Sequence, residues 1–193
     1  MINKFMSSED QTKNKNNEWS LYEFLKFTVI TLLIIVPIRM YVAQPFVVSG
    51  ASMSPTFETG QYLIVDQFSY RVSEPKRGDV IVFRFPKDPS KFFIKRVIAL
   101  PREKVIINGE EIKIITKDGE EIILDEPYVE LNKDSYSETL LGYNEYFAMG
   151  DNREASLDSR VWGPLEEKYI IGKAFLRLLP FSQIDYLPGE FDF

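Results

Sequence analysis

The stretch Val48-Ser49-Gly50-Ala51-Ser52-Met53-Ser54-Pro55-Thr56 is the part of this chain best suited to chemistry. Small residues lead into Ser52. Gly50 and Ala51 let the backbone turn tightly and let another chain approach closely, and Pro55 fixes the turn that follows and removes a donor. A serine held this way becomes a nucleophile only if a neighbouring group activates it. The same residue types also make plain connecting loops, so the rest of the chain has to decide. There is no histidine and no cysteine. Their lack removes the Ser-His-Asp triad, the Cys-His dyad, the HExxH zinc motif, a disulfide framework and any Cys-based metal or redox site. No metal or other cofactor is expected. Acid–base chemistry near neutral pH then falls to a carboxylate, a lysine or a tyrosine whose pKa is shifted.

Lys95 is the candidate base. It sits in Phe93-Ile94-Lys95-Arg96-Val97-Ile98, where the two-residue period of a strand puts Phe93, Lys95 and Val97 on one face. Desolvation on an apolar face disfavours the charged amine and lowers its pKa. Arg96 points to the opposite face and calls for an acid. The alternative is a Lys-Arg pair on an exposed edge strand, a common guard against edge pairing. A third cluster runs from Gly150-Asp151-Asn152-Arg153 through Ser156, Asp158 and Arg160 to Trp162-Gly163. Its acidic spacing does not fit a calcium loop of the EF-hand kind. A hydroxyl such as that of Ser156 could orient the Lys95 amine as a third member orients a triad. Asp158 and Arg160, two apart, could pair and stiffen the loop.

The elements that must position these residues follow from composition. Residues 1–20 are polar, without apolar period, and are read as a disordered cytoplasmic tail. Residues 21–43 are read as a transmembrane signal-anchor: Phe27 to Ile38 carries no charge, and Glu23, Lys26 and Arg39 bracket it. A spanning helix needs ~20 mostly apolar residues, which this segment supplies if Lys26 and Arg39 snorkel to the two interfaces. Bulky Tyr41 makes a poor small-x-small cleavage site, so the anchor is expected to stay uncleaved. Lysines before the span place the N-terminus inside the cell membrane and residues 44–193 outside it. That remainder reads as short strands bounded by Gly and Pro, with hairpin signals at Asn108-Gly109 and Asp118-Gly119. The expected fold class is mostly β: one N-terminal transmembrane helix, then folded antiparallel sheets or a small barrel. A net charge of −6 with no basic face argues against a nucleic-acid partner.

An anchor, then Ser-Met-x-Pro-Thr, Gly-Asp-Val-Ile-Val-Phe, Lys-Arg-Val and Gly-Asp-Asn-Arg-x-x-Ser-x-Asp-Ser-Arg-x-Trp-Gly, in that order, closely resembles the type I signal peptidases. The resemblance covers about residues 19 to 182. It implies a membrane-bound serine endopeptidase with a Ser/Lys dyad and an all-β catalytic domain. Such an enzyme removes signal peptides from exported preproteins after small-x-small sites, beside membrane lipid and with the secretion machinery as a further partner. Carried over residue by residue, Ser52 matches the nucleophile, Lys95 the general base and Ser156 the serine that holds the lysine amine. Arg96, Asp151, Asp158 and Arg160 match structural ion-pairing positions, with Arg96 facing Asp151. The substrate-pocket positions fall on Phe46, Val48, Met53, Phe57, Leu63, Val82, Phe93 and Ile94, all apolar, as selection for alanine requires. The edge near Phe46 and Phe57 is also read as a face able to dip into lipid.

Three departures from the family pattern stand out. Gly50 takes the place where some members carry a serine, which leaves the oxyanion hole to backbone N–H groups, chiefly that of Ser52. Leu100-Pro101-Arg102-Glu103 replaces the usual Leu-Pro-Gly-Asp, which bears on the turn geometry there. Only 54 residues separate Lys95 from Gly150, so the large inserted β subdomain of some members is absent, as in compact Gram-positive-like forms. Two rival readings are a membrane-anchored accessory protein with a degenerate site, and a Ser/Lys protease with another target such as a self-cleaving repressor. The presence of Ser52, Lys95 and Ser156 together speaks against the first. The anchor and the lack of a DNA-binding unit speak against the second.

Overall fold

The computed structural model describes residues 21–41, 43–129 and 136–191. The tail expected over residues 1–20 lies outside the described residues. Helix α1 spans Leu21–Tyr41, with Glu23 in its first turn, where a carboxylate suits the positive end of the helix dipole. Consecutive residues Leu32, Leu33, Ile34 and Ile35 are all exposed, so its apolar surface runs around the whole circumference. The uncharged run is only 12 residues, Phe27 to Ile38. Among the described residues no helix is long and apolar enough to cross a membrane. The chain divides into two compact units, residues 1–36 and 37–193.

The second unit is almost entirely β. In chain order its strands are β1 (Ala43–Val47), β2 (Tyr62–Asp66), β3 (Val80–Phe85), β4 (Asp88–Ala99), β5 (Lys104–Asn108) and β6 (Glu111–Ile115). They continue as β7 (Glu121–Ile123), β8 (Tyr136–Leu140), β9 (Glu145–Met149), β10 (Leu165–Glu166), β11 (Ile170–Leu179) and β12 (Asp185–Tyr186). One-turn helices α2 (Ser69–Val72) and α3 (Ser159–Trp162) interrupt them. An eight-stranded sheet runs β1-β2-β11-β3-β4-β9-β10, with β12 on β11, and a four-stranded sheet runs β7-β6-β5-β8. The pairings are antiparallel throughout. This is the folded antiparallel architecture that the strand pattern predicts.

The sequence of each strand explains its place. β5 and β6 alternate, turning Val105, Ile107, Ile112 and Ile114 inward and Lys104, Asn108, Glu111 and Lys113 outward beside half-buried Ile106 and Ile115, the signature of a sheet wetted on one face. Those four pack with Ile98, Phe147 and Met149, which fastens the small sheet to the ends of β4 and β9. β3 buries four consecutive residues, Val80 to Phe83, because it lies mid-sheet with both faces covered. The β5–β6 loop is Gly109-Glu110, since Asn108 pairs with Glu111, one residue later than Asn108-Gly109 implied. Gly109 has φ +61°, the left-handed backbone that a two-residue hairpin needs at this point. β8, β10 and β12, at sheet margins, have no clear apolar alternation and were not anticipated.

The chain turns at Leu100-Pro101-Arg102-Glu103, where the Glu103 N–H donates to the Leu100 carbonyl at 3.2 Å. Arg102 adopts φ +68°, a left-handed conformation that glycine takes without strain. The Glu103 carboxylate is buried, accepts a hydrogen bond from the Leu100 N–H at 2.7 Å and pairs with Arg77 at 2.8 Å. A longer acid thus caps the end of β4.

Candidate active site

Ser52 sits in a tight turn that the backbone holds on both sides. The Ser54 and Phe57 N–H groups donate to the Ala51 and Met53 carbonyls at 3.2 and 2.8 Å. Gly50 carries φ +96°. Its N–H donates to Thr59 Oγ1 at 3.0 Å, and the Thr59 hydroxyl donates back to the Gly50 carbonyl at 3.1 Å. Beneath the turn Met53 and Phe57 pack on Val48, Leu63, Val80 and Ala174.

β4 delivers Lys95 to this turn. Its amine donates to Ser52 Oγ at 2.6 Å and to the Ile94 carbonyl at 2.9 Å, and Nζ lies 5.5 Å from the centre of the Phe93 ring. Lys95 is 3% exposed, so it is not on an open edge; β3 and β9 flank its strand. Burial pushes the amine down to about 8, against the opposing pull of Asp158 and Asp151. Such a lysine is neutral for a useful fraction of the time near neutral pH.

Arg96, on the other face of β4, is held in a buried cage. Its Nε and Nη2 donate to the two oxygens of Asp151 at 2.9 and 2.6 Å, and its Nη1 donates to the Gly78 and Gly189 carbonyls. The guanidinium lies 3.9 Å from the centre of the Tyr128 ring. Asp151 also accepts from the Thr56 hydroxyl, which ties the Arg96 cage to the turn of Ser52.

The loop from Gly150 to Asp158 closes the site from behind. A Cβ at Gly150 would overlap the Ser52 carbonyl oxygen and the Ser156 hydroxyl, so only glycine allows this approach. The Asn152 N–H donates to the Ser52 carbonyl at 3.2 Å. Asp158 accepts from the Gly150 N–H at 3.2 Å and pairs with Arg160 at 2.8 Å. Ser156 Oγ is buried and has no hydrogen-bond partner among the described residues. The structure brings it beside Gly150 without a bond to the Lys95 amine.

A cavity of about 460 Å³ opens in front of Ser52 and Lys95. Phe46, Val48, Leu63, Val82, Phe93 and Ile94 line it. Met53 and Phe57 do not: both are fully buried in the core below, 1% and 0% exposed. Phe57 therefore supports the cavity floor, and it cannot reach lipid. In their place the wall includes Phe92, Ala155 and Leu157, which sequence reasoning missed. Also missed was the buried pair of Glu126 with Arg153, whose Nη1 and Nη2 donate to its carboxylate at 2.7 and 2.6 Å. Arg153 Nε donates to the Gly150 carbonyl at 3.0 Å, so the pair braces the loop. Nothing in Asp125-Glu126-Pro127-Tyr128 separates it from an ordinary polar loop; only the Arg of Gly-Asp-Asn-Arg signals that an acid is required somewhere.

Comparison with known proteins finds relatives along most of the chain. A family profile described as "Signal peptidase, peptidase S26" matches residues 21–179. A probable signal peptidase I-1 of Synechocystis sp. is 37% identical over 189 residues, covering 90% of this chain and 92% of its own. The signal peptidase I of Bacillus licheniformis is 30% identical over 189 residues, covering 92% and 97%. A crystal structure of a signal peptidase I from Enterococcus faecalis is 28% identical, covers 53% of this chain and 97% of its own, and aligns with a TM-score of 0.44. On the match across most of its length, from the helix through β11, the chain belongs to the signal peptidase family, peptidase S26, and is a hydrolase of the signal peptidase I type.

Proposed function

We propose that this chain removes signal peptides from exported preproteins by acyl transfer to Ser52, with Lys95 as general base. The observation that carries the reading is the 2.6 Å contact between Lys95 Nζ and Ser52 Oγ around an amine whose pKa burial has lowered to about 8. In its neutral form the amine accepts the Ser52 proton as Oγ attacks the scissile carbonyl. The protonated amine then donates to the leaving nitrogen. Neutral again, it takes a proton from the water that hydrolyses the ester. The oxyanion falls to backbone N–H groups, chiefly that of Ser52, because the Gly50 N–H is already taken by Thr59. Ser156, buried beside Gly150 with its hydroxyl unpaired, is the candidate to orient the amine once substrate enters. Asp151, Asp158, Arg96 and Arg160 hold the loops rather than meet substrate.

The cavity walls of Phe46, Val48, Leu63, Val82, Phe93 and Ile94 support cleavage after small-x-small sites, since an apolar pocket of limited depth admits alanine and excludes longer side chains. The anchor belongs to the same proposal. Helix α1 has 21 residues, about 32 Å at 1.5 Å per residue, close to the ~30 Å of a hydrocarbon core. It reaches across if the charges bracketing its uncharged run lie at the interfaces, with the catalytic unit outside the cytoplasmic membrane near emerging preproteins and the secretion machinery. Tethering there raises the effective substrate concentration.

The test is cleavage of an Ala-x-Ala preprotein by the full chain in detergent. Ser52→Ala and Lys95→Met are each expected to lower kcat by about 10³-fold or more while remaining folded by circular dichroism. Residual activity close to wild type in either folded variant overturns the dyad. A folded wild type that leaves the preprotein intact favours the accessory-protein reading.

A further inference from the structure

The reaction proposed above uses nothing beyond residue 160, yet the C-terminal segment Leu187–Phe191 meets the Ser52 turn and Arg96 directly and reaches the Gly150 loop through Tyr128. The segment is pinned at both ends: the Leu187 N–H donates to the Phe175 carbonyl at 2.9 Å, and Glu190 pairs with Lys173 at 2.9 Å. Between them Pro188 is buried and Gly189 takes φ +74°. The Gly189 carbonyl accepts a hydrogen bond from Arg96, the neighbour of Lys95. A Cβ at Gly189 would lie 2.6 Å from Thr56 Cγ2 and 3.2 Å from Phe57 Cε2, both in the turn of Ser52. Thr56 in turn donates to Asp151, the other partner of Arg96. The Phe191 ring meets Tyr128 edge-on at 5.3 Å. Tyr128 donates to Glu126 at 2.6 Å, and Glu126 holds Arg153 against the Gly150 carbonyl.

We infer that Leu187–Phe191 is a positioning strap, and that Gly189 sets the separation between the Ser52 turn and the Lys95–Arg96 strand. The physical ground is that the Ser52 turn, through Thr56 and Phe57, and the Arg96 side chain of β4 meet at Gly189, where only a residue without a side chain fits. The base and nucleophile touch at 2.6 Å, and a displacement of about 1 Å can cost on the order of 10²-fold in rate. Gly189 touches no substrate; it acts through Thr56 and Arg96. The inference rests on the Ser52/Lys95 reading.

The test is a double-mutant cycle on the full chain with an Ala-x-Ala peptide, measuring kcat and KM separately. Gly189→Ala pushes a methyl group at Thr56 Cγ2. Thr56→Ser deletes that carbon and keeps the hydroxyl for Asp151. Gly189→Ala is expected to lower kcat about tenfold or more with KM within about twofold, because the cavity wall is untouched. In the Thr56→Ser background the same change is expected to cost at least about fivefold less. Wild-type kcat in Gly189→Ala, or an equal loss in both backgrounds, overturns the inference. If Gly189→Ala does not fold, Phe191→Ala carries the test: a kcat lower by about threefold at constant KM supports the strap, and an unchanged kcat overturns it. A wild type that leaves the peptide intact overturns the underlying dyad reading instead.

Discussion

The two faces of β4 at Lys95 and Arg96 treat adjacent cations in opposite ways. On one face the Lys95 amine is 3% exposed and bonds a hydroxyl and a carbonyl, with no carboxylate bonded to it among the described residues. On the other, Arg96 is 1% exposed and makes four hydrogen bonds, two of them to Asp151. Burial is the same, and the difference lies in the group and its partner. A guanidinium is always charged and with a bidentate carboxylate locks structure, whereas a buried amine without one moves toward neutrality. The alternation of a strand places a fixed charge and the candidate base back to back. The fixed side holds the loops that surround the candidate base.

The comparison breaks most visibly if the fixed side loses its charge. Arg96→Met leaves Asp151 buried without its partner, and unfolding in urea is expected to show a loss of about 3–5 kcal/mol. Adding Asp151→Leu should recover part of it, because no orphaned carboxylate then remains. Lys95→Met has the opposite sign: it abolishes catalysis yet leaves a fold at least as stable as wild type at pH 7.

A pH series sharpens the contrast. The amine of Lys95 is lowered from 10.5 to about 8, so between these values the unfolded chain binds more protons than the folded one. Wild-type stability should therefore rise with pH across that window. Below about 8 the burial penalty is fully present, and above 10.5 it is gone. Accordingly the stability advantage of Lys95→Met should be largest below pH 8 and vanish at the alkaline end. For the wild type, kcat should climb with pH and level off above about 8 as the base becomes neutral. A kcat that falls over that range would exclude Lys95 as the base.

The smallest expected effect lies away from both faces. Arg102→Gly relieves a left-handed residue, φ +68°, at ~1–2 kcal/mol. It gives back part of that as unfolded-chain entropy, leaving a gain of about 0.5 kcal/mol. A thermal melt should show it, with kcat unchanged.

Much of the site is legible in the residues themselves. With histidine and cysteine missing, the base for a serine in a small-residue turn is left to a carboxylate, a lysine or a tyrosine, and Lys95 is the candidate placed mid-strand in an apolar run. Its hydroxyl marks Ser156 as a partner for that amine, yet among the described residues its Oγ has no hydrogen bond; a one-dimensional motif cannot state a rotamer. Met53 and Phe57 were named as cavity wall because they are apolar and close to Ser52. Whether an apolar residue faces a cavity or the core below depends on the direction of its Cβ, which the turn decides. Glu126 and Gly189 left no readable mark, because their partners are 27 and 93 residues away in sequence.

By itself the sequence determined the antiparallel β class, the apolar helix before it, the family and the choice of Ser52 and Lys95 as candidate nucleophile and base. Residue type and period carry that information, since alternation and desolvation are local properties. Only the tertiary structure decided that Lys95 is buried without a bonded carboxylate while Arg96 is caged. It also decided which apolar residues wall the cavity, and that the C-terminal strap meets the Ser52 turn. Those outcomes depend on contacts between segments far apart in the chain, and such contacts exist only once the sheets have closed.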